Sequence, residues 1–416
     1  NDCFKFNQPL DSWDTQNLLE ITYMFYGCKE FNGRINTWKL QNVTDIGFLF
    51  YKCESFNQPL NEWDVSNVEE APGLFAYCRK FNQPLDKWKT SKIVNINHMF
   101  YYCEEFNQPL GNWDVSKVQT CKFTFNMCKK FNQPLNNWKT TNFRDISFMF
   151  KSCFKFNQPL NNWDVSNVKN ISGLFSYCYK FNQSLNNWNV SNVVSMDTMF
   201  YRGAFNQPIG QWDVSNVVNM RDMFRSSAFN QPLDGWNVTG VEDMSYMFQN
   251  CGVFNNGGST GINNWRPSSC TQMYQMFKGC SGFNQPIGAW DVGNVTNLQQ
   301  MFDNCTGFNQ DIGSWDTSSV TNMQNMFYSS RDPMPFNQNI GGWDVSKVTS
   351  MRNMFLDQYG GARHDFNNGG SDSIKDWNTS SLTDIRDMFA ARPNPSVFDQ
   401  PLTNWVVTGI IYATSF

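Results

Sequence analysis

The chain has 416 residues, 40% of them hydrophobic and only 16% charged, with 32 Lys and Arg against 36 Asp and Glu for a formal net charge of −4. That balance argues against the concentrated basic face that a nucleic-acid binder needs. No apolar run reaches the length of a membrane-spanning helix, and Asn1 opens no signal-like segment.

From the N-terminus, Phe6 is followed at intervals of 25 residues by Phe31, Phe56, Phe81, Phe106, Phe131, Phe156 and Phe181. Asn follows each Phe, and seven residues beyond each stands a Trp: Trp13, Trp38, Trp63, Trp88, Trp113, Trp138, Trp163 and Trp188. The series continues less regularly through Phe205, Phe229, Phe254, Phe283, Phe308, Phe336, Phe366 and Phe398, so the 16 Trp residues mark about 16 coils. A unit this short cannot bury its own apolar face and needs its neighbours. The expected fold is a leucine-rich-repeat-like solenoid, one array over 1–416. Its coils are regular over 1–204 and irregular, with loop insertions, over 205–416.

One unit reads Phe156-Asn-Gln-Pro-Leu160-Asn-Asn-Trp163-Asp-Val165-Ser-Asn-Val168, then Ile171, Leu174, Phe175 and Cys178. Alternation through Leu160, Trp163 and Val165 predicts one short parallel strand per coil. The following steps of three predict a helical or 3₁₀ turn. Asn-Gln-Pro closes the coil, because Pro fixes φ and ends regular structure. Stacking turns each repeated position into a column. Asn7, Asn32, Asn57, Asn82, Asn107, Asn132 and Asn157 are expected to form an interior ladder that satisfies turn backbone groups. The Trp column from Trp13 through Trp163 is expected in the core.

The pattern Phe-Asn-Gln-Pro-Leu-x-x-Trp-Asp-Val-Ser-x-Val, followed by Met-Phe and Cys, resembles the BspA-type leucine-rich repeat surface proteins, including mycoplasma-lipoprotein-type repeats. It runs from Phe6 to Trp405. The resemblance implies a cell-surface or extracellular protein, in some cases adhesive, with no catalytic residues to transfer.

Eleven of the 13 Cys share one repeat position, from Cys3 and Cys28 to Cys280 and Cys305, while Cys121 and Cys270 replace core aliphatics. Packed thiols and bridges between neighbouring coils are both open readings. Neither a Cys-x-x-Cys pair nor a His cluster is present, the two His being His98 and His364. No metal ligand set, phosphate-cradling loop or nucleophile motif appears, so neither an enzyme nor a cofactor is expected.

The residue after each Trp is expected to face outward. It alternates as Asp14, Lys39, Asp64, Lys89, Asp114, Lys139 and Asp164, which would set opposite charges side by side. Later, Asp291, Asp316 and Asp344 fall on successive coils with no cation between them and form a weak Ca²⁺ candidate. Asn189, Asn237 and Asn378 occupy the same outward position within Asn-x-Ser/Thr sequons and are the candidate glycosylation sites, whereas Asn182 is expected inside the Asn ladder and unmodified.

Insertions collect in the second half: Asn-Asn-Gly-Gly-Ser after Phe254 and again from Phe366, Arg331 to Pro335, Asp357 to Asp365, and Arg392 to Pro395. Stacking would gather them along one edge, where repeat proteins often bind. Both ends lack an obvious cap, so protein partners or self-association through the ends and the C-terminal edge loops are expected. Function reads as non-enzymatic protein–protein recognition or adhesion. The second reading is a spacer in an extracellular or virion assembly, which would place the protein on a virion surface.

Overall fold

The computed structural model describes residues 3–330, 332–358, 365–391 and 396–415. Arg331, His364 and the inserted residues 392–395 lie outside the described residues, as do 359–364 of the insertion before Phe366. The chain forms two compact units, Asn1–Gln207 and Pro208–Phe416.

Each coil is made of tight turns. In the coil that opens with Phe56, Trp63 N–H donates to Leu60 O (3.0 Å) and Val68 N–H to Val65 O (2.9 Å). The same pair of turns occupies Leu160 to Val168, at 3.0 and 2.9 Å, so the strand expected through Leu160, Trp163 and Val165 does not form. Parallel pairing falls instead on the residue seven past the Trp, joined late in the second unit by a second series, Ser329 to Asp357 to Ala391. The bridges run Asp45 to Glu70 to Asn95 to Thr120 to Asp145 to Asn170 to Ser195 in the first unit, and Asn219 to Asp243 to Gln272 to Asn297 to Asn322 in the second.

Past the bridge, alternate amides point at the next coil: Ala71 to Asn95 O, Gly73 to Asn97 O, Phe75 to Met99 O and Tyr77 to Tyr101 O. The amides between them close turns within the coil, Ala76 to Gly73 O and Cys78 to Phe75 O. This path needs left-handed backbone twice in a coil. Phe48 (φ 54) and Lys52 (φ 62) adopt it in one coil, and Gly73 (φ 58) and Tyr77 (φ 64) in the next. For a non-glycine residue that conformation costs about 1–2 kcal/mol. The cross-coil hydrogen bonds on either side hold it in place.

The expected helical turn is absent from the regular coils. Among the described residues, 3₁₀ helices occur at Asn256–Gly258 and Thr260–Asn264, and again at Asn368–Gly370 and Asp372–Asp376. Both pairs lie in the coils with the Asn-Asn-Gly-Gly-Ser insertion. Ser259 and Ser371 cap the second helix of each pair by accepting from Gly261 N–H and Ser373 N–H. Buried Asn256 and Asn368 tie each insertion to the preceding coil, accepting from Leu233 N–H (2.8 Å) and Ile340 N–H (2.9 Å).

Three aromatic columns fill the core. Phe31, Phe56 and Phe81 stack at 5.9 and 6.0 Å between centroids, and Trp38 and Trp63 at 6.4 Å. Phe25, Phe50, Phe75 and Phe100, from the Met-Phe part of the repeat, stack at 5.8, 5.7 and 5.6 Å. Within a coil the two Phe columns touch, as Phe50 and Phe56 do at 4.1 Å. Stacked rings of this kind add roughly 0.5–1.5 kcal/mol per pair beyond their burial.

Candidate recognition surface

The repeated polar side chains are mostly engaged between coils. The side-chain oxygen of each ladder Asn accepts the backbone N–H of the next, from Asn7 to Asn32 (2.7 Å) and onward through Asn57, Asn82, Asn107, Asn132 and Asn157 at 2.9 Å each. This ladder stands at the edge of the coil. Asn32 through Asn157 are half-buried, whereas Asn7 and Asn182 are exposed. Asn182 is therefore not interior, although its oxygen holds Asn206 N–H at 2.9 Å.

The Trp column is buried from Trp38 through Trp163, but Trp13 is half exposed. Each indole N–H donates to a carbonyl of the preceding coil: Trp38 to Leu10, Trp63 to Ile35, Trp88 to Leu60, Trp113 to Leu85, Trp138 to Leu110 and Trp163 to Leu135, at 2.9 to 3.1 Å. The column thus closes polar groups as well as burying surface. The Cys column behaves likewise. Cys53 Sγ donates to Phe25 O and Cys78 Sγ to Phe50 O, both at 3.0 Å. The thiols are free, and all but Cys3 are buried. Burial pushes the Cys53 and Cys78 thiols upward in pKa.

After each Trp the side chain is exposed, from Asp14 and Lys39 to Lys139 and Asp164. Opposite charges in this column do not pair: among the described residues no ion pair joins its Asp to Lys39, Lys89 or Lys139. Each Asp turns back on its own chain instead. Asp64, Asp114 and Asp164 accept the amides of Ser66, Ser116 and Ser166 at 3.1, 3.0 and 3.0 Å. Those serine hydroxyls and amides hold the three carboxyls below the usual range, and Lys89 is the smallest influence on Asp64.

Asp316 and Asp344 use the same turn, accepting from Ser318 and Ser346, and Asp291 holds Gly293 N–H at 3.4 Å. Among the described residues no group of three or more His, Cys, Asp or Glu could hold a metal ion, so these carboxylates do not gather into a Ca²⁺ site. Asn189, Asn237 and Asn378 are exposed and make the same turn with Ser191, Thr239 and Ser380.

Alternating charges do pair two residues before the repeat Phe. Lys29 meets Glu54 (3.5 Å), Arg79 meets Glu54 (3.6 Å) and Glu104 (2.7 Å), and Lys129 meets Glu104 (2.6 Å). Beside this ladder runs a tyrosine stripe not anticipated from the sequence. Tyr26 stacks on Tyr51 at 4.6 Å, Tyr51 meets Tyr77 edge-on at 5.4 Å, and Tyr77 contacts Tyr101 and Tyr102 at 5.2 and 4.9 Å. Cations lie over the rings: Lys52 is 5.4 Å from Tyr51 and 6.0 Å from Tyr77, and Arg79 is 5.9 Å from Tyr102. These side chains are half-buried to exposed. His98 borders the stripe, stacked on Phe123 at 4.7 Å and edge-on to Tyr101 at 5.5 Å, and burial followed by Lys122 lowers its pKa. The sequence signal for the stripe is Tyr one or two places before Cys, recurring with the 25-residue period.

The same repeat positions differ between the units. Asn1–Gln207 has 21 Lys and Arg against 18 Asp and Glu, a net +3, whereas Pro208–Phe416 has 11 against 18, a net −7. In the second unit the positions equivalent to Phe48 and Phe123 are Asp222, Tyr246, Gln275, Gln300, Asn325, Asn353 and Asp387, four of them amides on successive coils. A polar cleft of about 510 Å³ opens beside Gln300, Asn325 and Asn353.

Residues 1–110, 73–185, 180–260, 256–368 and 335–415 match the family described as "Mycoplasma protein of unknown function, DUF285". No curated protein matches. Among solved structures, an internalin of Listeria monocytogenes aligns at 9% identity over 90% of this chain and 84% of its own, with a TM-score of 0.20. A Drosophila Toll–Spätzle complex aligns at 12% over 85% and 51% (TM-score 0.22), and a leucine-rich repeat protein of Leptospira interrogans at 7% over 80% and 87% (TM-score 0.21). Scores this low carry no argument about fold or ligand. Among the described residues no helix is long and apolar enough to cross a membrane.

Proposed function

Since the chain belongs to the mycoplasma family of unknown function that its repeats match from end to end, we propose that it is a non-enzymatic recognition protein of the BspA-type leucine-rich-repeat kind, acting at a cell surface or outside the cell. The stripe of Tyr26, Tyr51, Tyr77, Tyr101 and Tyr102 with Lys52 and Arg79 is the observation that supports this reading. Tyr and Arg dominate protein-binding hot spots, because they bring large contact area with few torsions to immobilise. Here the torsions are already restricted by stacking, which lowers the ordering cost on association. The net +3 of this unit favours an acidic protein partner.

The test is retention of beads coated with the full chain on immobilised extracellular-matrix proteins under flow. Tyr51→Ser, Tyr77→Ser and Tyr101→Ser combined should lower retention about tenfold, the loss expected on removing hot-spot side chains. Retention equal to that of the unsubstituted chain, with the fold intact by circular dichroism, contradicts the reading.

A further inference from the structure

We propose that the unit Pro208–Phe416 contains a second binding site, separate from the tyrosine stripe, that takes a neutral saccharide in the cleft lined by Lys278, Gln300, Asp303, Asn325, Arg352 and Asn353. The cleft of about 510 Å³ adjoins a hollow of about 300 Å³, the two sharing Lys278, Asn304 and Ser330. Those volumes are in the range of small-molecule sites.

The charge of Lys278 is internally cancelled. Lys278 Nζ lies 2.9 Å from Asp303 Oδ2, and the same oxygen takes the Gln300 amide at 2.7 Å. The Asp303 side chain is only 1% exposed, so the pair is fixed in place. A phosphate would meet a lysine whose charge is already matched and would have to rely on the Arg352 guanidinium, while a cation would meet at Asp303 a carboxylate already filled. What the lining offers is a dense set of amide donors and acceptors, which suits a ligand with many hydroxyl groups.

A second observation points the same way. Asn325 Oδ1, Asn353 Oδ1 and Arg352 Nε are shielded from solvent and have no hydrogen-bond partner among the described residues. In the edge ladder, by contrast, Asn32, Asn57 and Asn82 each hold the next coil's amide. Buried polar groups left unpaired in a structure that otherwise pairs them call for an explanation. The soft terminal torsion of each Asn exchanges the places of its oxygen and nitrogen, so that these cleft-lining amides can be presented to a ligand hydroxyl as donor or acceptor.

Backbone conformation does not require amides here. Asn325 and Asn353 have φ of 54° and 55°, but Phe48, Phe123 and Phe148 occupy the equivalent position at 54° to 57°. Left-handed backbone favours Asn over Phe without demanding it, and at Gln275 and Gln300, with φ of 56° and 57°, an amide stands at the same position without that preference.

Saturation-transfer NMR and titration calorimetry on the full chain, with lactose and N,N′-diacetylchitobiose as probes and inorganic phosphate and Ca²⁺ as charged controls, test the site. At least one disaccharide should bind with a Kd of about 1 mM or tighter. Asn325→Gly with Asn353→Gly, which keeps the left-handed backbone and removes both amides, should weaken it by about tenfold or more. If that double variant unfolds, Arg352→Lys serves instead, since it removes Nε and keeps the charge. Binding of neither disaccharide, binding unchanged in the folded variants, or binding of phosphate or Ca²⁺ alone would each overturn the proposal.

Discussion

The ring of Phe48 lies across Gly73 of the next coil, so closely that a β-carbon on Gly73 would stand 2.5 Å from Phe48 Cδ1. Phe148 covers Gly173 in the same way, at 2.2 Å, and both glycines have left-handed backbone, with φ of +58° and +59°. Gly73→Ala should therefore lose about 2–4 kcal/mol, from left-handed strain and from overpacking against the ring. Urea unfolding measures the loss. In a Phe48→Ala background the same substitution should cost less by about 1–3 kcal/mol, since only the overpacking is relieved. Equal costs in both backgrounds would show that the ring contact does not matter.

The carboxyls of Asp64, Asp114 and Asp164 have lowered pKa values, first from the serine hydroxyls and then from the serine amides. A depressed carboxyl contributes stability that is present above its unfolded value, near pH 4, and is lost as pH falls through the folded value. Replacing all three by Asn should leave stability near pH 7 almost unchanged, because Asn189 makes the same turn with Ser191. The loss on acidification should shrink. Chemical denaturation at pH 7 and pH 3 provides the comparison, and an unaltered acid loss would contradict the assignment.

His98 has the same sign for a different reason. Burial, followed by Lys122, disfavours its charged form. Stability is expected to be at its full value above the unfolded pKa of about 6.5 and to fall as the folded group is forced to protonate. His98→Phe, which keeps a ring beside Phe123, should flatten stability between pH 7.5 and pH 5. A slope identical to that of the original chain would exclude His98 as its source.

The buried thiols should be inert. Among the 13 cysteines only Cys3 is exposed. The thiolate is the reactive form, and burial disfavours it, raising Cys251 to about 11 and Cys270 to about 12. A thiol reagent at pH 8 should label Cys3 quickly and the rest only after denaturant is added. Fast labelling of Cys78 or Cys103 in the native chain would contradict the packed column.

Phe and Trp recurring every 25 residues made the stacking legible, because each fills the same core place in successive coils. The path of the backbone was not legible. The apolar pattern Leu160, Trp163 and Val165 looks like a strand, yet two successive turns bury the same side chains. The left-handed positions are hidden because Phe48, Lys52 and Tyr77 occupy them as well as Gly73, held there by the cross-coil hydrogen bonds. Charge pairing was misplaced for a local reason. An Asp with Ser two places on prefers the nearby amide, as Asp64 does with Ser66, whereas Lys29, Glu54, Arg79 and Glu104 have no such serine and reach across coils. The tyrosine stripe was obscured because its members alternate between two adjacent columns, Tyr51 and Tyr101 in one and Tyr77 and Tyr102 in the other.

Register underlies both proposed binding surfaces, and cysteine cross-linking reads it directly. Lys89 and Asp114 stand on neighbouring coils, where Cα atoms about 5 Å apart are within reach of a disulfide. Lys139 stands one coil further, at roughly twice that spacing. Under mild oxidation, Lys89→Cys with Asp114→Cys should form an intramolecular bridge, and Lys89→Cys with Lys139→Cys should not. Failure of the first pair, or equal bridging by the second, would contradict the stacked arrangement.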